Sequence, residues 1–432
     1  MIRSTKHSIK YTNKNKLNKL FNFIDEYRQA AQLYLDYLWD NPYAFKIKDK
    51  SYIFDIQHNH LTVPKYIDYK AINFKTNLSA RALSSCITQV LGIIKASTEK
   101  QRKRLWKVHN LLSQNEQLSK SLINKIRKNK PVKPGIDKLK PELSSKCIDF
   151  KETNNNFNAF IMLRSIGKSF GQIKIPIKYH KRANHWKSKG KRLNSFLIDK
   201  DYIDIRWQMP NKIKPIGITV GADQGYKTIL TLSNGNITPK KDSHNHTLES
   251  INKKLARKRK GSKSFAKAQY HRKNFIHWSI NQLNFKNIKQ VNLEKIYNIT
   301  YKRRTSRVMS HWTNTLIRDK LKKVCEEQEV LVQEQSSAYR SQRCSKCGLV
   351  RKANRKGKQY ICKDCGHVSD ADLNAACNHE QDLYYLSWEL RKFIQSNHKN
   401  YGSGFYWQPN GCFDITGGEF RVPLSKNKPD NI

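Results

Sequence analysis

Four cysteines in the C-terminal part of the chain form two pairs with the spacing of a zinc site. Each pair reads Cys-x-x-Cys, and fourteen residues separate the pairs, at Cys344, Cys347, Cys362 and Cys365. Two sulfurs from one tight turn can reach a single Zn²⁺, and two such turns complete a tetrahedron. A closed site of four thiolates is structural, so we expect the ion to hold a loop in place. The alternative ligands are His367 and Cys377.

Three carboxylates stand at the ends of predicted elements, where they could hold metal ions. Asp223 ends an apolar segment at a glycine-rich turn, Glu294 ends a second apolar segment, and Asp372 lies at the predicted start of a helix. Carboxylates at the strand ends of an α/β sheet can converge on one crevice. Three of them can bind two hard cations about 3.5–4 Å apart, an arrangement suited to hydrolysis of a phosphodiester. Mg²⁺ fits because it prefers oxygen ligands and shares its coordination shell with phosphates.

Each of these acids also has an ordinary structural interpretation. Asp223 could be a turn residue, and Glu294 could end a strand in solvent. Asp372 could accept backbone N–H groups at the start of its helix. Asp370 competes with Asp372 for either role. The residues and their spacing alone therefore leave the carboxylate site open.

The N-terminal half combines two long helical tracts with short strands. Helical periodicity predicts helices over about 17–39 and 79–112, and a Lys- and Pro-rich segment at 126–140 predicts a linker or exposed basic loop. Alternating apolar and polar residues predict strands at Ser8–Tyr11, Gly171–Ile177 and Asp201–Trp207. If the first of these joins the others in one antiparallel unit, the helical tract is an insertion within that unit.

From Lys214 onward the pattern is that of an α/β layer. The near-continuous apolar segment 215–223 and the segment 227–232 before the turn Asn234-Gly235 predict a hairpin of a buried sheet. Further predicted elements are a basic helical stretch over 248–283 broken near Gly261, a strand at 287–293, a helix at 311–329 and a strand at 330–332. Strands that alternate with helices indicate an α/β arrangement.

The charge of the chain restricts its partners. Its 432 residues include 83 Lys and Arg but only 34 Asp and Glu, a formal net charge of +49. Self-repulsion of this size favours a polyanionic partner, and nucleic acid fits best. An anionic membrane surface is the alternative, but the basic residues are spread along the chain and interleaved with aromatics instead of collected on one amphipathic helix. We therefore expect binding to nucleic acid that weakens with salt.

The sequence shows neither a membrane span nor a disulfide framework. It contains no apolar run of about 18 residues, and its N-terminus lacks the apolar region of a signal peptide. Nine cysteines is an odd number, and five of them are scattered singly. This pattern favours a reducing compartment and one metal site.

Several motifs resemble the transposon-encoded TnpB proteins, which are related to the Fanzor proteins and to miniature type V CRISPR effectors. The match covers about residues 214–380, and the N-terminal half matches only in layout. The motifs are Gly221-Ala222-Asp223-Gln224-Gly225 and Val291-Asn292-Leu293-Glu294 for the first two RuvC motifs, Leu255–Lys263 for the basic helix pair, Ser341–Gly348 for the start of the zinc ribbon, and Asp372-Leu373-Asn374-Ala375-Ala376 for the third RuvC motif. In that family the acid two residues before the Asn is catalytic, which favours Asp372 over Asp370. Lys295 departs from the pattern, since an acid often follows the family's Glu.

The resemblance implies an α+β multidomain protein with a RuvC-like (RNase H-type) α/β nuclease domain, an inserted zinc ribbon and an N-terminal β wedge domain carrying a helical recognition insertion. The expected boundaries are 1–15 and 149–212 for the wedge, 16–148 for the helical domain, 213–343 and 367–385 for the nuclease, 344–366 for the ribbon and 386–432 for a C-terminal tail. After about His379 no further motif matches the family. We expect the aromatic residues of this region to pack: Tyr384, Tyr385, Trp388, Phe405, Tyr406 and Trp407. The implied compartment is the cytoplasm near the nucleoid in a prokaryote, or the nucleus in a eukaryote.

The implied activity is RNA-guided cleavage of DNA. Asp223, Glu294 and Asp372 would be catalytic and hold two Mg²⁺ ions, while the four cysteines hold a structural Zn²⁺. The partners would be a guide RNA and double-stranded target DNA, with base pairing supplying the sequence specificity. One alternative is a CRISPR-associated effector with the same chemistry, and another is an RNA-guided repressor that has lost triad acids, although all three acids remain here. A DNA-strand transferase with a DDE-type site is less compatible, because a ribbon followed directly by Asp-x-Asn-Ala-Ala does not suit it.

Overall fold

The computed structural model divides the chain into two compact units, Met1–Pro210 and Asn211–Ile432. The residues it describes are 2–40, 68–114, 117, 119–128, 131–210, 212–296, 307–311, 313–397 and 404–420. Each unit has its own hydrophobic core. Among the helices of these residues, none combines the length and the apolar character that crossing a bilayer requires.

The described part of the first unit contains two long helices and two short ones. Their bounds are α1 Lys14–Asp40, α2 Ala80–Ser113, α3 Lys120–Lys128 and α4 Lys181–Lys189. Helical spacing places Leu20, Ile24 and Tyr27 of α1 in the core, and α1 packs against α2, whose Ile87 and Val90 are also buried. The two long helices predicted from the sequence are confirmed. The expected linker is partly helical, because α3 extends to Lys128.

The strands of the first unit form two antiparallel sheets. Their bounds are β1 Ile2–Ser8, β2 Glu142–Leu143, β3 Ile148–Glu152, β4 Ala159–Leu163, β5 Ile173–Ile177, β6 Lys191–Ile198 and β7 Tyr202–Gln208. One sheet has the order β1-β7-β6-β2 and the other β3-β4-β5. Since β1 pairs along its whole length with β7, helices α1 to α3 are an insertion within the first sheet. The strand β2 begins before the expected boundary at residue 149, because it is too short to show an alternating pattern.

The strand predicted at Ser8–Tyr11 is wrong in position. The observed strand β1 ends at Ser8, where the predicted one begins. Its inward-facing residues Thr5 and His7 are polar, and both are buried. The Thr5 hydroxyl accepts a hydrogen bond from the indole N–H of Trp207 at 2.9 Å. A search for apolar alternation misses such a strand, because hydrogen bonds compensate the burial of its polar side chains.

The second unit is built on a four-stranded sheet. Its strands are β8 Ile218–Gln224, β9 Leu230–Leu232, β10 Ile288–Lys295 and β11 Leu331–Ser336. Their order is β11-β10-β8-β9, in which β8 and β9 are antiparallel while β10 is parallel to both β8 and β11. The predicted hairpin and α/β layer are therefore confirmed. Leu293 pairs with Ala222. The next residue of each strand, Glu294 and Asp223, therefore lies beside the other near the carboxyl ends of two parallel strands.

The second unit also contains α-helices, several of which pack on this sheet. Their bounds are α5 Leu248–Ala256, α6 Lys263–Asn281, α7 Asn314–Glu327, α8 Ala371–Glu380 and α9 Trp388–Asn397. The break predicted between α5 and α6 is confirmed. Gly261 there has a φ of +85°, which glycine adopts without a steric penalty, and the Ser262 hydroxyl then caps α6 by accepting from the Phe265 N–H at 3.1 Å.

Two small sheets follow, and the end of the described chain returns to one of them. The strands are β12 Leu349–Val350, β13 Arg355–Lys356, β14 Gln359–Ile361, β15 Val368–Asp370, β16 Phe405–Gln408 and β17 Gly411–Phe413. They form the sheets β13-β14-β15 and β12-β16-β17. Of the aromatic residues after His379, Phe405 and Trp407 are buried, whereas Tyr384, Tyr385 and Trp388 are exposed. The expectation that the tail aromatics pack therefore holds only for some of them.

Candidate metal centres

The four predicted cysteines converge on one point. Their sulfur atoms all lie within 4.8 Å of one another. The Sγ atoms of Cys344 and Cys365 are 3.7 Å apart, and those of Cys347 and Cys362 are 3.5 Å apart. Sulfurs bound at about 2.3 Å around one tetrahedral zinc would be separated by about 3.8 Å. The geometry therefore fits a four-thiolate zinc ion, and His367 and Cys377 are not part of this cluster.

Two glycine turns shape the cysteine site. Gly348 and Gly366 each follow the second cysteine of a pair, with φ values of +85° and +69°. The Gly348 N–H donates to the Cys344 carbonyl at 3.0 Å, and the Cys344 N–H donates to the Leu349 carbonyl at 2.9 Å. Burial raises the pKa of the Cys344 thiol, so a bound cation is needed to keep it as a thiolate at neutral pH.

The first cysteine turn is tied to helix α8 by side-chain amides. The Asn374 amide accepts from the Ser345 N–H at 3.0 Å and donates to the Arg343 carbonyl at 2.8 Å. Asn378 is fully buried and donates to the carbonyls of Arg340 and Arg343 at 3.0 and 2.7 Å. These bonds connect the cysteine turns to the helix that carries Asp372. The Asn of Asp-x-Asn thus has a structural role, which is to join the two segments.

Asp223 and Glu294 come together at the carboxyl ends of β8 and β10. One carboxylate oxygen of each lies within 4.8 Å of the other and of a ring nitrogen of His379. Burial raises the pKa of Asp223, and the neighbouring charge of Glu294 raises it further. Burial also raises the pKa of Glu294, against a smaller opposing effect of the Gln224 backbone N–H. Two acids that resist ionisation side by side are a suitable donor set for a divalent cation, which would offset both charges.

Asp372 lies beside this pair, but its carboxylate is engaged with two basic residues. It is buried in the first turn of α8, and a side chain built on Gly225, two residues after Asp223, would come within 3.7 Å of its Oδ2 atom. Its Oδ1 atom pairs with Arg355 at 3.4 Å, and its Oδ2 atom pairs with Lys358. Its carboxylate is thus held by Arg355 and Lys358 in this structure, separate from the Asp223 and Glu294 pair.

The alternative acid, Asp370, has a different role. It is the N-cap of α8, and its Oδ1 atom accepts hydrogen bonds from the N–H groups of Asp372 and Leu373 at 2.9 and 3.1 Å. The sequence alone could not decide which of the two acids, Asp370 or Asp372, caps the helix. Since Asp370 caps the helix, the Asp372 side chain is not needed for capping.

The sequence interpretation missed three residues at this site, Arg355, Lys358 and His379. Arg355 and Lys358 were hidden among many other basic residues. His379 follows Asp372 by seven positions, or two helical turns, so the helical spacing could have indicated that both lie on one face of α8. Burial lowers the pKa of His379 to about 3, so its ring is neutral.

Comparison with known proteins confirms the resemblance inferred from the motifs. The family model described as "Cas12f1-like, TNB domain" matches residues 315–379. The CRISPR-associated endodeoxyribonuclease Cas12f1 of Sulfoacidibacillus thermotolerans is 38% identical over 74 residues, which are 17% of this chain and 18% of that relative. The chain therefore aligns with less than a fifth of the relative's length.

Two solved structures have a similar fold over most of the chain. The cryo-EM structure of a Cas12f1–sgRNA–target DNA complex has a TM-score of 0.51 at 16% identity and covers 84% of this chain and 82% of that one. CasPhi-2 (Cas12j) bound to crRNA and phosphorothioate-DNA has a TM-score of 0.51 at 10% identity and covers 88% and 91%. At these identities the likeness concerns the fold, which is the mixed α and β fold of miniature type V effectors.

Proposed function

We propose that this protein is an RNA-guided DNA endonuclease with a RuvC-like active site. The observation that carries the proposal is the convergence of two half-buried carboxylates, Asp223 and Glu294, at the ends of parallel strands, with the buried Asp372 of α8 close to the turn that follows Asp223. The sheet order β11-β10-β8-β9, with one antiparallel and two parallel pairs, supports an RNase H-type nuclease domain. The four cysteines would form its inserted zinc ribbon.

The residues at the site suit hydrolysis of a phosphodiester. Mg²⁺ bound there would supply an activated water and would stabilise the leaving oxygen. Asp223, Glu294 and Asp372 would hold the ions through their oxygen atoms. Arg355 and Lys358, which now compensate the charge of Asp372, would remain close enough to attract the phosphate of the DNA strand. The Asn374 and Asn378 amides would hold α8 and the ribbon in a fixed relative position.

The proposed partners are a guide RNA and double-stranded target DNA. The formal net charge of +49 supports them, because such a protein requires polyanions to offset its self-repulsion. The complex of Cas12f1 with sgRNA and target DNA has the same fold, which is further support. We propose a wedge with a helical insertion for the first unit, in which β1 and β7 join the two wedge segments and the second segment already includes β2.

Two genomic contexts are compatible with this chemistry. The motifs resemble transposon-encoded TnpB proteins, whereas the relative with the matched segment is named as CRISPR-associated. Sequencing of RNA that co-purifies with the protein separates them. A transcript from a transposon end would support the first context, and a transcript containing CRISPR repeats would support the second.

The function is tested by exchanging the guide. The purified protein with its own RNA should cut a matching DNA duplex in Mg²⁺ and should not cut it in a chelator. When the variable end of the RNA is replaced, cutting should move to the DNA that matches the new end. Cutting that ignores the exchange would contradict guidance by RNA, and duplex binding without any cutting would favour the repressor.

A further inference from the structure

His379 is a buried histidine whose ring is incompletely hydrogen-bonded. The residue is 1% exposed, and none of the described residues provides a hydrogen-bond partner for its Nδ1 atom. Most buried polar atoms in folded proteins have a partner, because an unpaired one loses its interaction with water. An unpaired imidazole nitrogen in such a position is able to ligate a metal ion.

The position of His379 points to the carboxylates. A ring nitrogen of this residue and one oxygen each of Asp223 and Glu294 all lie within 4.8 Å of one another. This spacing would let one divalent cation touch all three atoms, since its ligands lie about 2.0–2.2 Å away. The three residues come from three separate elements, α8, β8 and β10.

The backbone of β8 makes room for the helix that carries this histidine. A side chain built on Gly221 would overlap the carbonyl oxygen of Ala376 and the amide nitrogen of Glu380. Glycine at this position therefore lets α8 lie directly on β8. Because side chains of a helix point toward its N-terminus, His379 near the C-terminal end is directed back along α8, toward the turn with Asp372.

A second buried histidine shows that burial alone does not produce this arrangement. His311 is 8% exposed, and its Nε2 atom also lacks a partner among the described residues. Its ring, however, packs edge-on against Phe265 and is not grouped with any carboxylate. Unlike His311, His379 has two carboxylates beside its ring, those of Asp223 and Glu294.

We propose that His379 is a nitrogen ligand of the ion held by Asp223 and Glu294, and that it gives this position a preference for Mn²⁺ over Mg²⁺. The proposal rests on the metal-binding role of these acids in the proposed function. Mg²⁺ favours all-oxygen surroundings, whereas imidazole is a common ligand of first-row transition ions. A site with two oxygens and one nitrogen would therefore accept Mg²⁺ but bind Mn²⁺ more tightly.

The direct test is spectroscopic and needs no cleavage. The zinc-loaded full-length protein is titrated with Mn²⁺, and pulsed electron paramagnetic resonance detects magnetic coupling between Mn²⁺ and a ligated ¹⁴N. A surface group formed by Asp242, His246 and His271 could also bring imidazole close to an ion. All proteins in this experiment therefore carry His246→Ala as a common background.

The expected result is nitrogen coupling in the background protein and its loss in His379→Leu. The same substitution should weaken Mn²⁺ binding about tenfold, with a smaller effect on Mg²⁺ measured by calorimetry. His311→Leu, the matched buried control, should change neither value. Melting temperature and zinc content establish that each variant is folded, and His379→Gln replaces the leucine variant if that one is not.

Two outcomes separate this proposal from the proposed function. If Asp223→Asn abolishes Mn²⁺ binding but the background protein shows no nitrogen coupling, the histidine is not a ligand and the carboxylate site stands. If Asp223→Asn binds Mn²⁺ as tightly as the background protein does, the carboxylate site itself is wrong. Retention of the coupling in His379→Leu would also overturn the proposal, because another nitrogen would then be the ligand.

Discussion

The two candidate metal centres adjoin the same helix, α8, but the chain assembles them in different ways. The four cysteines come from two turns of one short segment, so their spacing is fixed locally. The carboxylates come from β8, from β10 and from α8, and only the folded sheet brings them together. The cysteine centre can thus form with little help from the rest of the chain, whereas the carboxylate centre depends on the whole second unit.

The two centres also differ in their effect on stability. Zinc binding to four thiolates contributes free energy to folding. The half-buried carboxylates cost free energy when ionised, because their desolvation raises the pKa values of Asp223 and Glu294. One centre should therefore stabilise the fold, and the other should destabilise it until cations bind. The amides of Asn374 and Asn378 join these two opposing regions.

The largest effect is expected from removing one zinc ligand. Cys344→Ser should abolish stoichiometric zinc binding and lower the free energy of unfolding by at least about 3–5 kcal/mol, because zinc binding is coupled to folding of the ribbon. Zinc is measured by elemental analysis and stability by denaturant unfolding. The control is Cys377→Ser, which should retain zinc. A wild-type protein that contains no zinc would show that the cysteine centre is not a zinc site.

The next effect concerns the connection between the centres. Asn378→Ala removes a buried amide that donates to the Arg340 and Arg343 carbonyls. The Arg340 carbonyl loses this bond, while the Arg343 carbonyl keeps its bond from Asn374. We expect a loss of about 2–4 kcal/mol in the free energy of unfolding, with the zinc content retained. The exposed Asn281→Ala provides the baseline. Equal stability of the two variants would mean that the ribbon and α8 are not coupled through this residue.

A smaller effect, with a change of sign, is expected at the carboxylates. Asp223→Asn removes a buried charge, so without divalent ions it should raise the free energy of unfolding at pH 8 by roughly 1–3 kcal/mol. In saturating Mg²⁺ the order should reverse, because the wild-type protein gains stability from the ions and the variant does not. Thermal unfolding at both conditions measures this difference. The same sign in both conditions would indicate that Asp223 does not bind the ion.

Without Mg²⁺ or Mn²⁺ at the carboxylates, the free energy of unfolding should change with pH in a defined direction. A carboxyl whose pKa is raised in the folded state binds more protons when folded than when unfolded. Stability should therefore fall as the pH rises from about 4, the ordinary carboxyl value, through the raised pKa values of Asp223 and Glu294. Asp223→Asn should flatten this decline, as measured by unfolding of the zinc-loaded protein at a series of pH values in buffer without added divalent ions.

The smallest effect on stability distinguishes the two neighbouring acids at the start of α8, Asp370 and Asp372. Asp370→Ala removes the N-cap and should cost about 1 kcal/mol of stability while cleavage continues. Asp372→Ala should instead abolish cleavage. Unfolding curves and cleavage rates are compared for both. If the Asp370 variant loses cleavage while the Asp372 variant cuts normally, the two assignments are exchanged.

The sequence predicted those features that depend on local patterns. The cysteine spacing located the four-cysteine cluster, and apolar segments located β8 and β10 with their terminal acids. The hairpin of β8 and β9 followed from two apolar segments near an Asn-Gly turn. The choice of Asp372 over Asp370 as the catalytic acid came from the family motif and stays a prediction, while the capping bonds give Asp370 a role at the start of α8.

Features that depend on distant contacts were not predictable. The strand β1 is defined by its partner β7 and carries polar residues inward, so its own pattern did not reveal it. The return of β16 to β12 links segments that share no motif. His379 acquires its significance only when α8 lies on β8 at Gly221, a contact that the sequence of neither element specifies.

The central claim is that the chemistry belongs to the carboxylates and that the cysteines support the structure. It is tested most directly by the single-turnover cleavage rate of Asp223→Ala in complex with guide RNA and matching DNA, with DNA binding and zinc content measured on the same sample. We predict a loss of at least about a thousandfold in rate, with DNA binding and zinc retained, while the exposed Asp319→Ala cuts normally. Cleavage by Asp223→Ala at the wild-type rate would contradict the account.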